Sequence, residues 1–457
     1  MKQDTIAAIA TGMTNSGIGI VRISGEEAFS IIDKIYKSKG NKILSKEKSH
    51  TIHYGYIYDG EDMVDEVLVS VMRAPGTYTG EDTVEINCHG GLFIVQKVLE
   101  VVLKYGARMA EPGEFSKRGF LNGKMDLSKA EAVMDLIHSK SEYAYKNSLN
   151  QLKGNLFAKI KECREKLIYE IAFIESALDD PEHIDINGYS EKLKITVEEL
   201  EKEMIKLIES SMNGKIIKEG IKTVIVGKPN AGKSSLLNVL LGEERAIVTD
   251  IEGTTRDVLE ESINLGGIKL VMMDTAGIRD TEDIVEKIGV EKAKDHVKDA
   301  DFIMYVVDSS KPLDENDNVI FTMLKDKKSL VLLNKMDLNT VVTEDEIKRK
   351  TESEVISISA KENMGIDVLT EKIKNMFLQG EIDFNEDIMI TNLRHKNLLE
   401  EALESLKMVE QSIENDMPED FYSIDLMSAY TALGYIIGEE VEDDLVNEIF
   451  SKFCMGK

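Results

Sequence analysis

The stretch Gly227-Lys228-Pro229-Asn230-Ala231-Gly232-Lys233-Ser234 lies between a short apolar run and a segment with helical spacing. Residues Ile221–Val226 alternate β-branched and small apolar side chains, which predicts a buried strand, and Ser235–Leu241 has helical periodicity. A glycine-rich loop in this position can turn backbone N–H groups toward a polyphosphate. Lys233 can then reach the β and γ phosphates, and Ser234 can hold Mg²⁺. A chance glycine turn is the alternative interpretation of these eight residues alone.

Further apolar runs follow this loop and predict the other strands of the same unit. They span Lys269–Met273, Phe302–Val307, Ser329–Leu333 and Val355–Ile358. Because these runs alternate with helical patterns, we expect a mainly parallel, doubly wound sheet with both faces covered. Ligands bind outside the carboxyl ends of such strands, so polar residues that follow each run are candidate ligand contacts.

Polar motifs follow these predicted strands, at the positions where ligand contacts are expected. Asp274-Thr275-Ala276-Gly277 can supply a carboxylate that meets Mg²⁺ through water and a glycine N–H that senses a γ-phosphate. In Asn334-Lys335-Met336-Asp337, the aspartate can accept hydrogen bonds from N1–H and the exocyclic amine of guanine. Ser359-Ala360-Lys361 can support the guanine oxygen. Gly253-Thr254-Thr255-Arg256-Asp257 can place a mobile threonine on Mg²⁺ when the γ-phosphate is present.

These motifs, in this order and with this context, predict a GTPase domain that forms GDP and phosphate. Within it, Ser234 and Thr255 are the candidate Mg²⁺ ligands. The candidate GTP-binding residues are Asn230, Ala231, Gly232, Lys233, Ser234, Ser235, Thr249, Asp250, Ile251, Gly253, Thr254, Thr255, Asp274, Thr275, Ala276, Gly277, Asn334, Lys335, Asp337, Ser359, Ala360 and Lys361.

The catalytic apparatus differs from that of common small GTPases. Ile278 follows the Asp274–Gly277 motif, where a water-orienting glutamine often lies, so another group must orient water and neutralise charge. Arg256 and Arg279 are available as arginine fingers, although exposed switch residues are the favoured interpretation of both. Glu286 lies in an acidic run and can act through water or begin a solvated helix.

The length, net charge and cysteine content of the chain limit the classes of function that it can have. The chain has 457 residues and a formal net charge of -28, from 56 Lys and Arg against 84 Asp and Glu. At about 150 residues per domain, this length predicts roughly three domains. The negative balance argues against a general basic surface, so any RNA contact should be local or shared with a partner. Dispersed cysteines, no signal-peptide pattern and no apolar run of about 18 residues favour a soluble cytoplasmic protein without disulfides, membrane spans or structural zinc.

The rest of the chain divides into regions of different periodicity. From Asp4 to about Arg118, short strand and helix patterns predict an α+β domain. From Leu127 to about Gly214, apolar residues recur at helical spacing with almost no glycine or proline, and Asn392–Phe453 has the same composition. We expect these two regions to form one helical bundle into which the GTPase domain is inserted.

Two features of the α+β region have alternative interpretations. Residues Gly17–Gly25 contain a G-x-G pattern, but the third glycine of a dinucleotide fingerprint is missing and the glycines precede a strand. A tight turn is therefore favoured. The polar segments Tyr78–Glu85 and Pro112–Arg118 fit ordinary loop and helix-cap chemistry.

The order of these parts resembles that of the MnmE (TrmE) family of tRNA-modification GTPases. The N-terminal motifs that carry the resemblance are Asp4–Ala8, Val21–Gly25, Thr79–Asp82, His89–Gly91 and Pro112–Phe115. The C-terminal Cys454-Met455-Gly456-Lys457 is similar to the family signature C-x-G-K, with Met in place of the usual branched aliphatic residue. The resemblance implies a folate-binding domain over residues 1–119, a helical domain over 120–218 and 379–457, and a GTPase domain over 219–378.

The resemblance also implies a reaction. Such proteins act with an FAD-dependent partner of the MnmG (GidA) type, expected as a heterotetramer. Together they add an aminomethyl or carboxymethylaminomethyl group to C5 of the wobble uridine of certain tRNAs. A reduced folate, 5,10-methylene- or 5-formyl-tetrahydrofolate, is the implied cofactor, with the methylene form as one-carbon donor. GTP hydrolysis drives a conformational step.

Matching the family residue by residue gives the implied folate ligands Arg22, Glu85, Lys124 and Lys457. The match is chemically reasonable because a pterin ring donates hydrogen bonds to a carboxylate and the folate tail presents carboxylates to Arg and Lys. Cys454 matches the family's candidate catalytic or redox cysteine. A buried small side chain at a helix end is the alternative interpretation of this residue.

In the family, K⁺ bound beside the phosphates at a homodimer of GTPase domains takes the role of an arginine finger. Asn230 matches the potassium-ligand asparagine, and Thr249, Ile251 and Thr254 match the loop that completes the site. Amide and backbone oxygens suit a monovalent cation, whose charge can stabilise the charge developing near the β–γ bridge. Glu286 matches the family's catalytic carboxylate.

Two other functions are compatible with a GTPase domain. A ribosome-assembly GTPase should contain a basic RNA-binding domain, which is not visible in this acidic sequence. A regulatory switch without further chemistry should have a structural Cys454. Binding of a reduced folate separates the tRNA-modification hypothesis from both.

Overall fold

The computed structural model describes residues 4–184, 187–243, 262–273, 297, 299–325, 327–378, 388–439, 441, 443–454 and 456. The N-terminal unit is built on one mixed sheet. Its elements are β1 (Ile6–Ile9), β2 (Ile18–Ser24), α1 (Ala28–Ile35), β3 (Tyr36–Lys37), a 3₁₀ turn (Leu44–Lys46), β4 (Thr51–Asp59), β5 (Asp62–Met72), β6 (Thr83–His89), α2 (Leu92–Lys104) and β7 (Arg108–Met109). The described strands lie in the order β3-β4-β5-β6-β2-β1-β7, antiparallel except for β1 and β7.

Alternating side chains place one face of this sheet in the core. On β5, Val67, Val69 and Val71 are buried, whereas Leu68 is exposed. This is the period of two expected for a strand with one covered face. The apolar sides of α1 and α2 cover the buried face and belong to the same core. The opposite face, here called the open face, is exposed along β4 and β5, whereas Ile6 and Ala8 on β1 pack there with Ala110 and Phe115.

The chain then becomes helical. The elements are α3 (Glu114–Leu121), α4 (Leu127–Ile137), α5 (Glu142–Leu152), α6 (Asn155–Asp179) and α7 (Tyr189–Glu219). Side-chain caps begin two of them: Asp126 accepts a hydrogen bond from the backbone of Lys129, and Ser141 accepts one from Ala144. Because α7 ends at Glu219, this helix leads directly into the strand of the phosphate loop.

A second sheet follows. Its elements are β8 (Ile221–Gly227), α8 (Lys233–Glu243), β9 (Ser262–Leu265), β10 (Ile268–Met272), β11 (Phe302–Asp308), α9 (Glu315–Met323), β12 (Ser329–Asn334), α10 (Glu344–Lys348), β13 (Glu354–Ser357) and α11 (Ile366–Phe377). The described strands lie in the order β13-β12-β11-β8-β10-β9, parallel except for β9. Helices α8 and α11 pack on one face, and α9 and α10 pack on the other. The predicted mainly parallel, doubly wound sheet is confirmed.

The last described region is helical again, with α12 (Leu393–Glu414), α13 (Glu419–Ile437) and α14 (Asp443–Ser451). Helices α12 and α13 share one core with α6 and α7. Representative buried side chains in that core are Leu167 on α6, Val197 on α7, Leu406 on α12 and Leu426 on α13. Both sequence halves therefore contribute to one bundle, and the predicted multidomain α/β plus α fold class is confirmed.

Short elements were missed by sequence periodicity. Strands β3 and β7 have two residues each, which is too short for an alternating pattern to be recognised. Strand β9 is an antiparallel edge strand that the parallel-sheet prediction did not include. Within the described ranges, no helix is both long and apolar enough to cross a bilayer.

A carboxylate joins the two halves of the helical region. Glu131 on α4 accepts hydrogen bonds from Asn392 Nδ2 at 2.8 Å and from Arg394 Nη2 at 2.7 Å, and it lies 2.7 Å from His395 Nε2. Burial alone raises the pKa of Glu131. Interactions with His395 and Arg394 outweigh that effect and lower the pKa from 4.5 to about 2. The ionised carboxylate therefore stabilises the folded bundle at neutral pH.

We predict that Glu131→Gln lowers the free energy of unfolding of the helical region by about 3 kcal/mol at pH 7. Because the folded-state pKa is depressed, this contribution is present above pH 4.5 and is lost as the pH falls toward 2. Calorimetric unfolding of both proteins from pH 7 downward should show a difference that shrinks below pH 4.5. Glu404→Gln, an exposed change on α12, serves as the control. A difference that does not depend on pH would contradict the ionic origin of the effect.

Candidate functional site

The phosphate loop has backbone conformations that its sequence explains. Gly227 has φ +156°, and a Cβ there would lie 2.5 Å from the carbonyl oxygen of Val306. Gly232 has φ +102°, and a Cβ there would collide with the amide of Asn334. Asn230 has φ +61°, a left-handed conformation that asparagine adopts more readily than most residues. The glycine spacing is therefore required by the close approach of neighbouring strands.

Lys233 lies over this loop. Its Nζ donates hydrogen bonds to the carbonyl oxygens of Gly227 and Lys228, both at 2.9 Å. Burial lowers the pKa of Lys233 because the low-dielectric surroundings disfavour the charged form. An arriving phosphate would provide the opposite charge that this ammonium lacks in the described structure.

Asn334, at the end of β12, connects the phosphate loop to the loop after β13. Its Nδ2 donates to the carbonyl oxygen of Ala231 at 2.9 Å, and its Oδ1 accepts from the N–H of Ala360 at 3.0 Å. The side chain is buried, so both ends of its amide depend on these partners. This residue therefore fixes the distance between the phosphate loop and the loop after β13.

Asp337, the predicted guanine ligand, lies beside the loop after β13. Its Oδ1 accepts a hydrogen bond from Ser359 Oγ at 2.7 Å, and this bond lowers the pKa of Asp337. The exposed carboxylate is therefore ionised at neutral pH and can only accept hydrogen bonds, as the donors of guanine require. The adjacent Lys335 has φ +66°, and its Nζ donates to Asp308 at 2.7 Å.

The structure brings together the described residues of the nucleotide motifs. They follow β8, β12 and β13, whose carboxyl ends meet at one edge of the parallel sheet. The described members are Asn230, Ala231, Gly232, Lys233, Ser234, Ser235, Asn334, Lys335, Asp337, Ser359, Ala360 and Lys361. The candidates outside the described residues are Thr249, Asp250, Ile251, Gly253, Thr254, Thr255, Arg256, Asp274, Thr275, Ala276, Gly277, Arg279 and Glu286.

A second cluster of candidate residues lies on the open face of the N-terminal sheet. Arg22 on β2 is paired in register with Glu85 on β6, and its Nε donates to Glu85 Oε1 at 2.8 Å. The Arg22 guanidinium also lies 5.5 Å from the ring centre of Phe115 and 5.9 Å from that of Tyr78. The cluster thus combines a cation, a carboxylate and aromatic rings.

The C-terminal tail lies against this cluster. Arg22 Nη1 donates to the carbonyl oxygen of Gly456 at 3.1 Å, and Gly113 N–H donates to the carbonyl oxygen of Cys454 at 3.2 Å. A Cβ at Gly456 would collide with the carbonyl oxygen of Ile9, so only glycine allows this close approach. The terminal signature and the predicted folate residues Arg22 and Glu85 therefore meet in space.

The remaining folate and thiol candidates have different positions. Lys124 is exposed and borders the loop at Gly80, where a Cβ would lie 3.3 Å from Lys124 Cγ. Lys457 lies outside the described residues. Cys454 is exposed, whereas Cys88 and Cys163 are buried, and burial raises the pKa of both buried thiols to about 11. Cys454 is thus the accessible thiol.

Sequence reasoning missed a buried ionic network beside this cluster. Arg118 is 4% exposed, and its guanidinium contacts Glu81 at 3.1 Å, Glu114 at 2.8 Å and Asp4 at 3.1 Å. Burial raises the pKa of Glu114, but hydrogen bonds from Arg108, the Glu111 N–H and Arg118 outweigh it and lower the pKa. The interpretation of these segments as ordinary loops and caps was therefore incomplete. Only the four-residue spacing of Glu114 and Arg118 offered a signal.

A strand, a phosphate loop and an Asn-Lys-x-Asp motif at the carboxyl ends of parallel strands define a protein of the P-loop GTPase class. The chain matches the family model described as "MnmE helical domain" over residues 127–454. It also matches the model described as "GTP-binding protein TrmE N-terminus" over residues 5–124. The chain belongs to the MnmE family of tRNA modification GTPases.

Similar proteins support this assignment over the whole chain. The chain is 58% identical to the tRNA modification GTPase MnmE of Lachnoclostridium phytofermentans, with 100% of each chain covered. It is 50% identical to the tRNA modification GTPase MnmE of Clostridioides difficile, with 99% of each covered. Among solved structures, the G domain of the T. maritima FeoB iron transporter aligns with 35% of this chain and 99% of that chain. That match has 23% identity and a TM-score of 0.27.

We predict that Asn334→Ala weakens GTP binding by at least about tenfold, because it leaves the Ala231 carbonyl and the Ala360 N–H without their partner. Displacement of a fluorescent guanine nucleotide measures the change. Asn318→Ala, which removes an exposed amide on α9, is the matched control and should retain the affinity of the unmodified protein. Equal affinities of the two variants would show that the Asn334 bridge does not organise the site.

Proposed function

We propose that this chain is a GTP-hydrolysing tRNA modification enzyme. In this proposal it adds a carboxymethylaminomethyl or aminomethyl group at C5 of the wobble uridine of certain tRNAs. A reduced folate supplies the one-carbon unit, and an FAD-dependent protein of the MnmG type is the partner. The observation that carries the proposal is the contact of Arg22 with both Glu85 and the tail carbonyl of Gly456. This contact joins the N-terminal sheet, which carries Arg22 and Glu85, to the C-terminal tail, and the folate hypothesis needs both.

The proposed folate site has suitable chemistry. Glu85 can accept hydrogen bonds from the donors of a pterin ring, and Arg22, Lys124 and Lys457 can bind the carboxylates of the folate tail. The partly exposed ring of Tyr78, whose centre lies 5.9 Å from the Arg22 guanidinium, offers an apolar surface for a flat heterocycle. In this proposal the exposed thiol of Cys454 takes part in the modification chemistry.

The proposed GTP site uses two metal ions. Mg²⁺ is held by Ser234 and Thr255. K⁺ is held by Asn230 together with the loop residues Thr249, Ile251 and Thr254, and Glu286 is the catalytic carboxylate. No described residue hydrogen-bonds the exposed side chain of Asn230, which supports its availability as a cation ligand. K⁺ there supplies positive charge during hydrolysis, while Lys233 and the loop N–H groups bind the phosphates.

The proposed domains follow these sites. Residues 1–119 bind folate, residues 120–218 and 379–457 form the helical domain, and residues 219–378 bind GTP. A homodimer completes the potassium sites, and a heterotetramer with the FAD-dependent partner binds tRNA. Exposed Ile52 and Leu68 on the open face of the N-terminal sheet support the presence of a partner surface. The net charge of -28 supports tRNA contacts that are shared with that partner.

Calorimetric titration of the full-length protein with 5-formyl-tetrahydrofolate tests the folate proposal. We expect binding, and we expect Arg22→Met to weaken it by about tenfold or more, since a charge-assisted hydrogen bond is lost. Lys97→Met removes one positive charge from the exposed surface of α2 and should leave binding unchanged. Absence of binding to the unmodified protein would favour a GTPase without folate chemistry.

The potassium proposal predicts that GTP hydrolysis is faster in K⁺ than in Na⁺ by roughly 10²-fold, the scale of a lost transition-state donor. Asn230→Gly, which removes the amide and still allows the left-handed backbone of this position, should abolish this preference while the affinity for GTP, measured in parallel, stays within about twofold. Steady-state release of phosphate in matched potassium and sodium buffers provides the measurement. Equal rates for the unmodified protein in both salts would exclude the cation assignment.

A further inference from the structure

Lys228, the second residue of the phosphate loop, is tied to the helix that follows β11. Its Nζ lies 2.7 Å from Asp317 Oδ2 and 3.0 Å from Asp314 Oδ2. Burial lowers the pKa of Lys228, but hydrogen bonds to Asp317 and Asp314 outweigh this effect and raise it. Lys228 is therefore a cation held by two carboxylates, and 23% of its side chain is exposed.

Asp317 is a fully buried carboxylate. Its Oδ1 accepts a short hydrogen bond from the hydroxyl of Tyr305 on β11, and its Oδ2 accepts one from the N–H of Asp314 at 2.7 Å. Burial and the bond to Asp317 raise the pKa of Tyr305, so this hydroxyl stays a donor. A buried carboxylate with this many partners has a fixed position, because any movement breaks several hydrogen bonds.

The backbone of Lys228 organises the loop on its other side. Its carbonyl oxygen accepts hydrogen bonds from Lys233 Nζ at 2.9 Å and from the N–H of Ala231 at 3.2 Å. The same residue is thus anchored in α9 through its side chain and in the phosphate loop through its carbonyl. A shift of the Lys228 backbone would therefore alter its contact with the ammonium of Lys233.

The start of α9 has a cap of its own. Asp314 caps the helix by accepting from the N–H groups of Asn316 and Asp317, and the Asp317 side chain completes the capping box. Lys228 contacts the same two carboxylates from outside the helix. Its contact joins the helix to a loop whose flanking residues, Gly227 and Gly232, have unusual backbone freedom.

We propose that Asp317 is a positioning residue for GTP binding, acting through Lys228 to hold the phosphate loop in its binding conformation before the nucleotide arrives. The inference rests on the proposed placement of the GTP phosphates at Gly227–Ser234. A loop that is ordered in the free protein incurs its conformational cost during folding and not during binding. Loss of the anchor therefore weakens nucleotide binding more than it slows the chemical step.

The test uses full-length protein with Asp317→Asn and Lys228→Met, assayed in sodium buffer with Mg²⁺ so that the potassium proposal does not enter. Each variant should weaken binding of a fluorescent GDP analogue by about tenfold and raise KM for GTP similarly. The kcat at saturating GTP should stay within about twofold.

Lys228→Arg, which keeps the charge and can contact both carboxylates, should restore affinity. Lys348→Met removes a surface lysine of α10 that pairs with Glu344 and is the control.

The nucleotide affinity of the double variant tests whether Asp317 acts through Lys228. If Asp317 acts through Lys228, the double variant should bind the nucleotide no more weakly than either single variant. Additive losses, or unchanged affinity with a lowered unfolding temperature, would overturn the proposal. If Asp317→Asn does not fold, Tyr305→Phe and Lys228→Met carry the same comparison. Failure of the unmodified protein to bind any guanine nucleotide would instead overturn the proposed function.

Discussion

The ionised Glu131 carboxylate and its partners Asn392, Arg394 and His395 join two segments of the chain that are separated by the entire nucleotide-binding sheet. A largely buried carboxylate is costly unless it is paired, so these residues strongly favour one arrangement of α4 and α12. The shared core of α6, α7, α12 and α13 adds the apolar part of the same constraint. The bundle then determines the points at which the N-terminal sheet and the nucleotide-binding sheet are attached.

Both candidate sites depend on that bundle for their placement. Helix α7 continues into β8 and the phosphate loop, and Tyr143 on α5 packs against Gly267 in the turn between β9 and β10. Helix α14 leads to the tail whose Gly456 carbonyl meets Arg22. The GTP site and the proposed folate site are therefore attached to different helices of the helical region.

Much of the fold could be predicted because its signals are local. The alternation on β5, the apolar runs of β11 and β12 and the glycine spacing of the phosphate loop each lie within a few consecutive residues. The Arg118 network could not be predicted in this way, since Asp4, Glu81 and Glu114 are distant from one another in sequence. The same holds for Lys228 and Asp317, which lie on different elements and meet only across the sheet edge. The antiparallel edge strand β9 was missed because its four residues carry too little periodicity.

The sequence by itself determined the longer secondary elements, the order of the units and the chemistry of the guanine-nucleotide motifs, because these depend on side-chain periodicity and local spacing. Only the tertiary structure decided that Asn334 bridges Ala231 and Ala360, and that Arg22 contacts both Glu85 and Gly456. Those contacts join residues brought together by packing of the sheets and the bundle. Their physical basis is the need of buried or partly buried polar groups for partners, which no local pattern in the chain specifies.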